Sequence, residues 1–360
     1  MTTVQTYLEF LRAGLWDRPA VVSGPVALKD VIQLASNQST LQTVYHAILS
    51  IPTAKIPPKT EDMMRKLLEQ TARSHEAAEK VIAYVSGELA HAGIPSILLK
   101  GQGIAYYYPV KGLRQAGDID LYVKPSDYDK SCDILTAMFG QGAEDTDKHR
   151  AFHVGGTLEL ELHRYTETLD NPKQNAIYQT ISDRGTSIGT VTVTLAGNEV
   201  MTPEDTFNAF YIFHHLWEHT KNMGIGMRQL CDWSVFLHTH KDKLDCDALE
   251  KWLTELHLLD VWQVFGCAAV SALGLEPSEV PFYSSKKEKR GKRLVGYILQ
   301  RGDNLQFKHG RSRDQKLKHK FGSFIYIFTK FRRMVGIFPS IAISQLFSDL
   351  GSGIGKLLKK

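Results

Sequence analysis

LLKGQGIAYYYPVKGLRQAGDIDLYV, residues 98–123, decides the fold. It opens inside the apolar run from Ile94 to Lys100, which reads as a buried strand stopped by Gly101. The stretch after it, IAYYYPV, looks like a short helix. Gly101 and Gln102 therefore stand at a strand-to-helix turn, where backbone N–H groups are free for an anion and only glycine lets a phosphate come close. Beyond a loop carrying Gly112 and Gly117, DIDLYV alternates Asp118, Asp120 and Tyr122 with Ile119, Leu121 and Val123, a strand with one acidic face. Carboxylates two residues apart on a strand stand about 7 Å apart along the backbone. At that distance they repel, and a hard divalent ion that also binds substrate phosphates relieves them.

Working outward, Ser126 to Phe139 reads as a helix, and AFHVGGTLELELHR as a β-hairpin turning at Gly155-Gly156. On its second strand Glu159, Glu161 and His163 share one face, while Leu158, Leu160 and Leu162 share the other. Strand pairing is expected to bring Glu161 beside the aspartates, with Glu159 as its substitute. Three carboxylates suffice for two metal ions, one activating a hydroxyl and one gripping a triphosphate. Lys100 and Arg114 add cations for phosphate. TSIGTVTVTLAG contributes a further strand or strand pair, and the alternation predicts an α+β domain over residues 93–200.

Apolar residues return every three or four positions from Val26 to Leu49 and from Glu61 to His91, which predicts amphipathic helices with Thr60 capping the later one. Residues 1–92 form an N-terminal helical region on this reading. Past MTPED, a helix start, the chain is again helical in pattern to Leu275, so residues 201–282 read as a helical region forming part of the acceptor pocket. His215 and His219 lie one turn apart there without the H-E-x-x-H arrangement of a zinc peptidase. With Arg228 they are expected to pack or to contact substrate.

Hydrophobic residues make up 43% of the 360, which argues for a folded chain with a sizeable core. The four cysteines, Cys132, Cys231, Cys246 and Cys267, have neither disulfide-framework nor zinc-finger spacing. There is no G-x-S-x-G nucleophile turn, so a serine hydrolase is not supported. Neither a signal peptide nor a membrane-spanning run is read, and the expected location is the cytoplasm, with peripheral membrane attachment as a variant. Charge is uneven. From Ser284 to Arg333, sixteen Lys and Arg face only Glu288, Asp303 and Asp314, with Phe321, Phe324, Ile325, Tyr326, Ile327, Phe328, Phe331 and Ile337 crowding the later cations. Residues 283–360 thus read as a basic, aromatic-rich extension. Residues 284–333 are expected to meet a membrane surface or, failing that, a nucleic acid, against the alternative of a solvated basic helix whose aromatic face packs on the preceding domain.

The 98–123 stretch followed by LELELHR, then by MTPEDTFNAFYIFHHLWEH and IGMRQLCDWSVFLH, resembles the bacterial uncharacterised nucleotidyltransferase family, a branch of the polymerase-beta-like nucleotidyltransferase superfamily, over roughly residues 60–282. The resemblance implies a mixed sheet flanked by helices. It also implies transfer of a nucleoside monophosphate from a nucleoside triphosphate (NTP) donor to a hydroxyl acceptor with release of pyrophosphate, using two Mg²⁺ or Mn²⁺ ions. Asp118, Asp120 and Glu161 occupy the metal positions, Gly101 and Gln102 the glycine turn, and Lys100, Arg114 and His163 recurring family positions. Gln102 departs from the usual Gly or Ser. The acceptor, whether protein, small molecule, sugar or nucleic acid, is left open. The rival reading is a non-catalytic protein of this fold, attached through its basic tail to a membrane or nucleic acid.

Overall fold

The computed structural model describes residues 1–51, 56–110, 112–142, 144–156, 158–187, 190–222, 224–301, 331–332, 334–344 and 346. The chain begins with helices α1 (Thr3–Leu15), α2 (Leu28–Asn37), α3 (Leu41–Leu49) and α4 (Pro58–His91). The periodic run from Val26 to Leu49 is two helices rather than one, broken where Ser39 takes a φ of +55°. Thr60 does not cap α4. The helix already starts at Pro58, whose fixed φ and missing N–H suit the first helical position, and Pro57 is the cap. Along α4, Met64 packs into the larger apolar core, while Ala78, Ile82, Val85 and Leu89 pack into a smaller one under the sheet. One helix therefore ties the two cores together.

The sheet is mixed. Strands β1 (Ile97–Leu98), β2 (Ile119–Tyr122), β3 (Glu144–Asp145), β4 (His149–Val154) and β5 (Leu158–His163) lie in the order β1-β2-β5-β4-β3. β2 and β5 run parallel and the other neighbours antiparallel. Helix α5 (Gln102–Ala105) joins β1 to β2, and α6 (Tyr128–Phe139) joins β2 to β3. Gly155 and Gly156 turn the β4–β5 hairpin with φ of +60° and +79°, a conformation that other residues adopt only with strain. Register follows outward from that turn, from Val154 opposite Leu158 to His149 opposite His163. In the parallel pair Asp120 lies opposite Glu161, and Tyr122 opposite His163. One face is apolar: Ile119, Leu121, Leu160, Leu162 and Phe152 pack on α4 and α6. The other carries the acidic residues.

Helix α7 (Pro172–Ser187) follows, a helix that the sequence reading does not include. Then β6 (Val191–Leu195) and β7 (Asn198–Thr202) pair as a separate two-stranded sheet, the strand-pair form of TSIGTVTVTLAG. Helices α8 (Asp205–Asn222), α9 (Met227–His240), α10 (Cys246–Glu255), α11 (Leu259–Leu273) and α12 (Glu288–Arg301) complete the described elements. The Glu204 carboxylate accepts the N–H groups of Thr206 and Phe207, both at 2.9 Å, which caps the start of α8. Phe210, Phe213, Trp217, Trp233, Trp262 and Phe265 fill the larger core together with Tyr7 and Phe10 of α1.

Residues 302–330, and with them most of the segment expected to meet a membrane or nucleic acid, lie outside the described residues. The flanking parts are engaged by the protein itself. Lys287 and Arg290 both hold Asp260 of α11. Phe331 and Ile337 pack on the core beside Phe338, which meets Trp217 at 5.0 Å between ring centroids, as the core-packing alternative for this aromatic face has it. Among the described residues, no single helix is long and apolar enough to cross a membrane.

Candidate active site

Backbone pairing builds the site. Leu99 N–H donates to the carbonyl of Asp120 at 3.0 Å, prolonging the β1–β2 ladder by a residue and setting Lys100 next to Asp120. Lys100 Nζ then lies 3.0 Å from Asp120 Oδ1. Gly101 turns the chain at φ +63°, and a Cβ there would stand 3.1 Å from the carbonyl oxygen of Asp118. Both the dihedral and the close approach call for glycine.

Asp120 is only 2% exposed and His163 only 1%. His163 Nε2 sits 3.0 Å from Asp120 Oδ1 and 3.1 Å from Glu161 Oε2, so both carboxylates touch one ring nitrogen. Burial pushes the Asp120 carboxyl up, but Lys100 and His163 outweigh it and hold the group far below the usual carboxylate range. Glu161 behaves alike: burial raises it, the hydrogen bond from His163 prevails, and the net direction is down. For Lys100, burial favours the neutral amine, yet the charge of Asp120 prevails and the ammonium is strengthened. Asp118, on the same face but exposed, goes the other way, raised by partial burial and then by the charges of Asp120 and Glu161. Three carboxylates with surplus negative charge on the outer member are a donor set that fits a divalent cation. On β4, His149 Nε2 lies 3.7 Å from Glu161 Oε1.

Helix α8 shares this electrostatic environment. The Tyr211 phenol is buried and pushed well above its ordinary range, first by burial and then by the charges of Asp120, Glu167 and Glu161. His215 is held neutral by burial and by the ammonium of Lys100. Its ring stands 4.3 Å from that of His219. These histidines line a cavity of about 840 Å³ together with His214, Lys148 and Glu167. On the other side, Arg228 at the start of α9 approaches Gly117 and lowers the Asp118 carboxyl, opposing burial.

Asp118, Asp120, Glu161, His163, Lys100 and Gly101 thus come together, with His215 and Arg228 alongside. Two expected phosphate contacts do not join them. Arg114 is bound to Asp232 through two hydrogen bonds, Nε to Oδ1 at 2.9 Å and Nη2 to Oδ2 at 3.0 Å, and Tyr108 donates to the same carboxylate at 2.8 Å. A guanidinium so buried and paired joins the strand loop to α9. Gln102 is buried against His75 of α4, leaving only its backbone at the turn. The sequence reading also overlooked His149, Tyr211 and the Lys148–Glu167 pair, at 3.1 Å. Counting back along the hairpin from Gly155 would have found His149 opposite His163; no local signal marks Tyr211.

Residues 25–271 match the family described as uncharacterised nucleotidyltransferase. The chain belongs to that family. Among solved structures, it is similar to the crystal structure of an antigenic nucleotidyltransferase-like protein from Paracoccidioides brasiliensis, at 14% identity and a TM-score of 0.35, over 55% of this chain and 93% of that one. No protein of curated function matches it. The family match takes in the glycine turn, both aspartates, Glu161 and α8, and it stops before α12.

Proposed function

We propose that the protein transfers a nucleoside monophosphate from an NTP to a hydroxyl acceptor. The observation that carries this reading is the register of β2 against β5, which sets Asp120 beside Glu161 with Asp118 on the same face. Asp118, Asp120 and Glu161 would hold the divalent ions, Mg²⁺ or Mn²⁺, whose chemistry is to neutralise the triphosphate and acidify the attacking hydroxyl. The acceptor hydroxyl gives up its proton to solvent, its oxygen bonds to the α-phosphorus, the bond from that phosphorus to the bridging oxygen breaks, and pyrophosphate leaves. Lys100 and Arg228 are cations beside the cluster and oppose the charge that builds on the phosphates. The cavity against α8 takes the acceptor.

The test is to incubate the protein with each α-labelled NTP, a divalent ion and a host lysate. Label entering one acceptor pool, with equimolar pyrophosphate, is expected. Nucleotide that binds without labelling any pool or releasing pyrophosphate would favour the non-catalytic rival.

A further inference from the structure

His149 and His163 flank Glu161, and nucleotidyl transfer on three carboxylates assigns neither ring a part. One donor atom from each of the three lies within 4.8 Å of the others. Their closeness is built into the sheet: His149 and His163 are direct partners across β4 and β5, and Glu161 precedes His163 by one strand period on the same face. Donors about 2.1 Å from a shared ion stand roughly 3.0 to 3.5 Å from one another. His163 Nε2 stands 3.1 Å from Glu161 Oε2 and His149 Nε2 3.7 Å from Glu161 Oε1, so the three donors, within 4.8 Å of one another, must draw together to share an ion.

The two rings differ from His75 and His240 in their surroundings. His75 is fixed by a hydrogen bond to the carbonyl of Arg114 at 2.7 Å, and His240 stacks on Phe236 at 4.0 Å. By contrast, the Nδ1 atoms of both His149 and His163 are buried with no hydrogen-bond partner. These are the far nitrogens of the two rings; the Nε2 atoms are the ones turned to Glu161, and they are the atoms an ion would meet. His149 keeps 19% of its side chain exposed, which leaves an entry path to the cluster.

We propose that His149 and His163 join Glu161 as metal ligands, so that this centre selects a transition-metal ion that accepts imidazole nitrogen, Zn²⁺ above all, over Mg²⁺. Mg²⁺ demands oxygen donors and retains its waters, whereas two imidazoles and a carboxylate suit a borderline ion. This rests on the reading of the carboxylate cluster as a metal centre and adds the ion it prefers.

The test uses the full chain, stripped of metal and titrated with Mn²⁺, then with Zn²⁺ and Mg²⁺ as competitors. The bound Mn²⁺ is examined by pulsed electron paramagnetic resonance for coupling to histidine nitrogen. Expected are stoichiometric Mn²⁺ with nitrogen coupling, displacement by Mg²⁺ only at concentrations at least about tenfold above those of Zn²⁺, and loss of that preference in His149→Ala. Asp118→Asn should weaken all three ions alike. Mn²⁺ bound without nitrogen coupling, and unchanged in His149→Ala, overturns the imidazole ligands while the carboxylate centre stands. If none of the three ions binds, with or without NTP, both readings fall. The wild-type spectrum decides even if the variant does not fold.

Discussion

Asp118 and Asp120 belong to one motif but are energetically opposite. Repulsion between neighbouring carboxylates suggests that both are liabilities without metal, and for Asp118 the raised carboxyl bears this out. Asp120 is instead anchored by Lys100 and His163. Removing one partner of a buried charge pair leaves the other uncompensated; Lys100 is 21% exposed, so the cost is set below the full range, at about 2 to 3 kcal/mol. In metal-free urea denaturation at pH 7, Asp120→Asn should lose that much, while Asp118→Asn should match or exceed wild type. Equal losses in both would show that the two aspartates are merely structural. The period of a strand was enough to put Asp118, Asp120, Glu161 and His163 on one polar face. It could not reveal that Arg114 belongs to Asp232, a partner 118 residues away that only the packing of α9 brings near.

Among the elements, α8 carries the clearest pH dependence. His214 is buried and its imidazole is lowered to about 4 by burial, which outweighs the charge of Glu167. His215 shifts in the same direction. In the unfolded chain both rings titrate near 6.5. Between that value and the folded one the unfolded state binds more protons, so stability is complete above pH 6.5 and falls as the pH drops. For His214 alone the loss between pH 7 and pH 5 is about 2 kcal/mol. Urea midpoints at the two pH values should show it, and His214→Gln should flatten the difference. A wild type equally stable at both values would contradict the buried neutral ring. Helix α8 was legible from its apolar period and its capped start. The sequence reading passed over α7 because its residues are mostly polar, although Asn171, which accepts the N–H of Lys173 at 3.0 Å, and the following Pro172 are ordinary start signals.

Across the whole molecule, the same chain supplies a sheet with one acidic face and a helical mass that covers it. Local pattern revealed the alternation of helix and strand from Ile94 to His163, because strand and helix periods differ, and resumed past α7 with the strand pair before Thr202. It revealed less about the C-terminal extension, where crowded aromatics look alike whether they meet lipid or the protein's own core. Phe338 turns inward onto the rings of Trp217 and Phe265, and Ile337 and Phe331 pack on the same core. That partnership is a property of the assembled fold. The central claim, that Asp118, Asp120 and Glu161 together hold metal and nucleotide, is tested most directly by equilibrium binding of NTP to wild type and to Glu161→Gln, with and without Mg²⁺ or Mn²⁺. Wild type should bind only with the ion, and Glu161→Gln, verified as folded by its melting curve, should bind at least about tenfold more weakly. A folded Glu161→Gln that keeps the wild-type affinity and metal dependence would contradict the account.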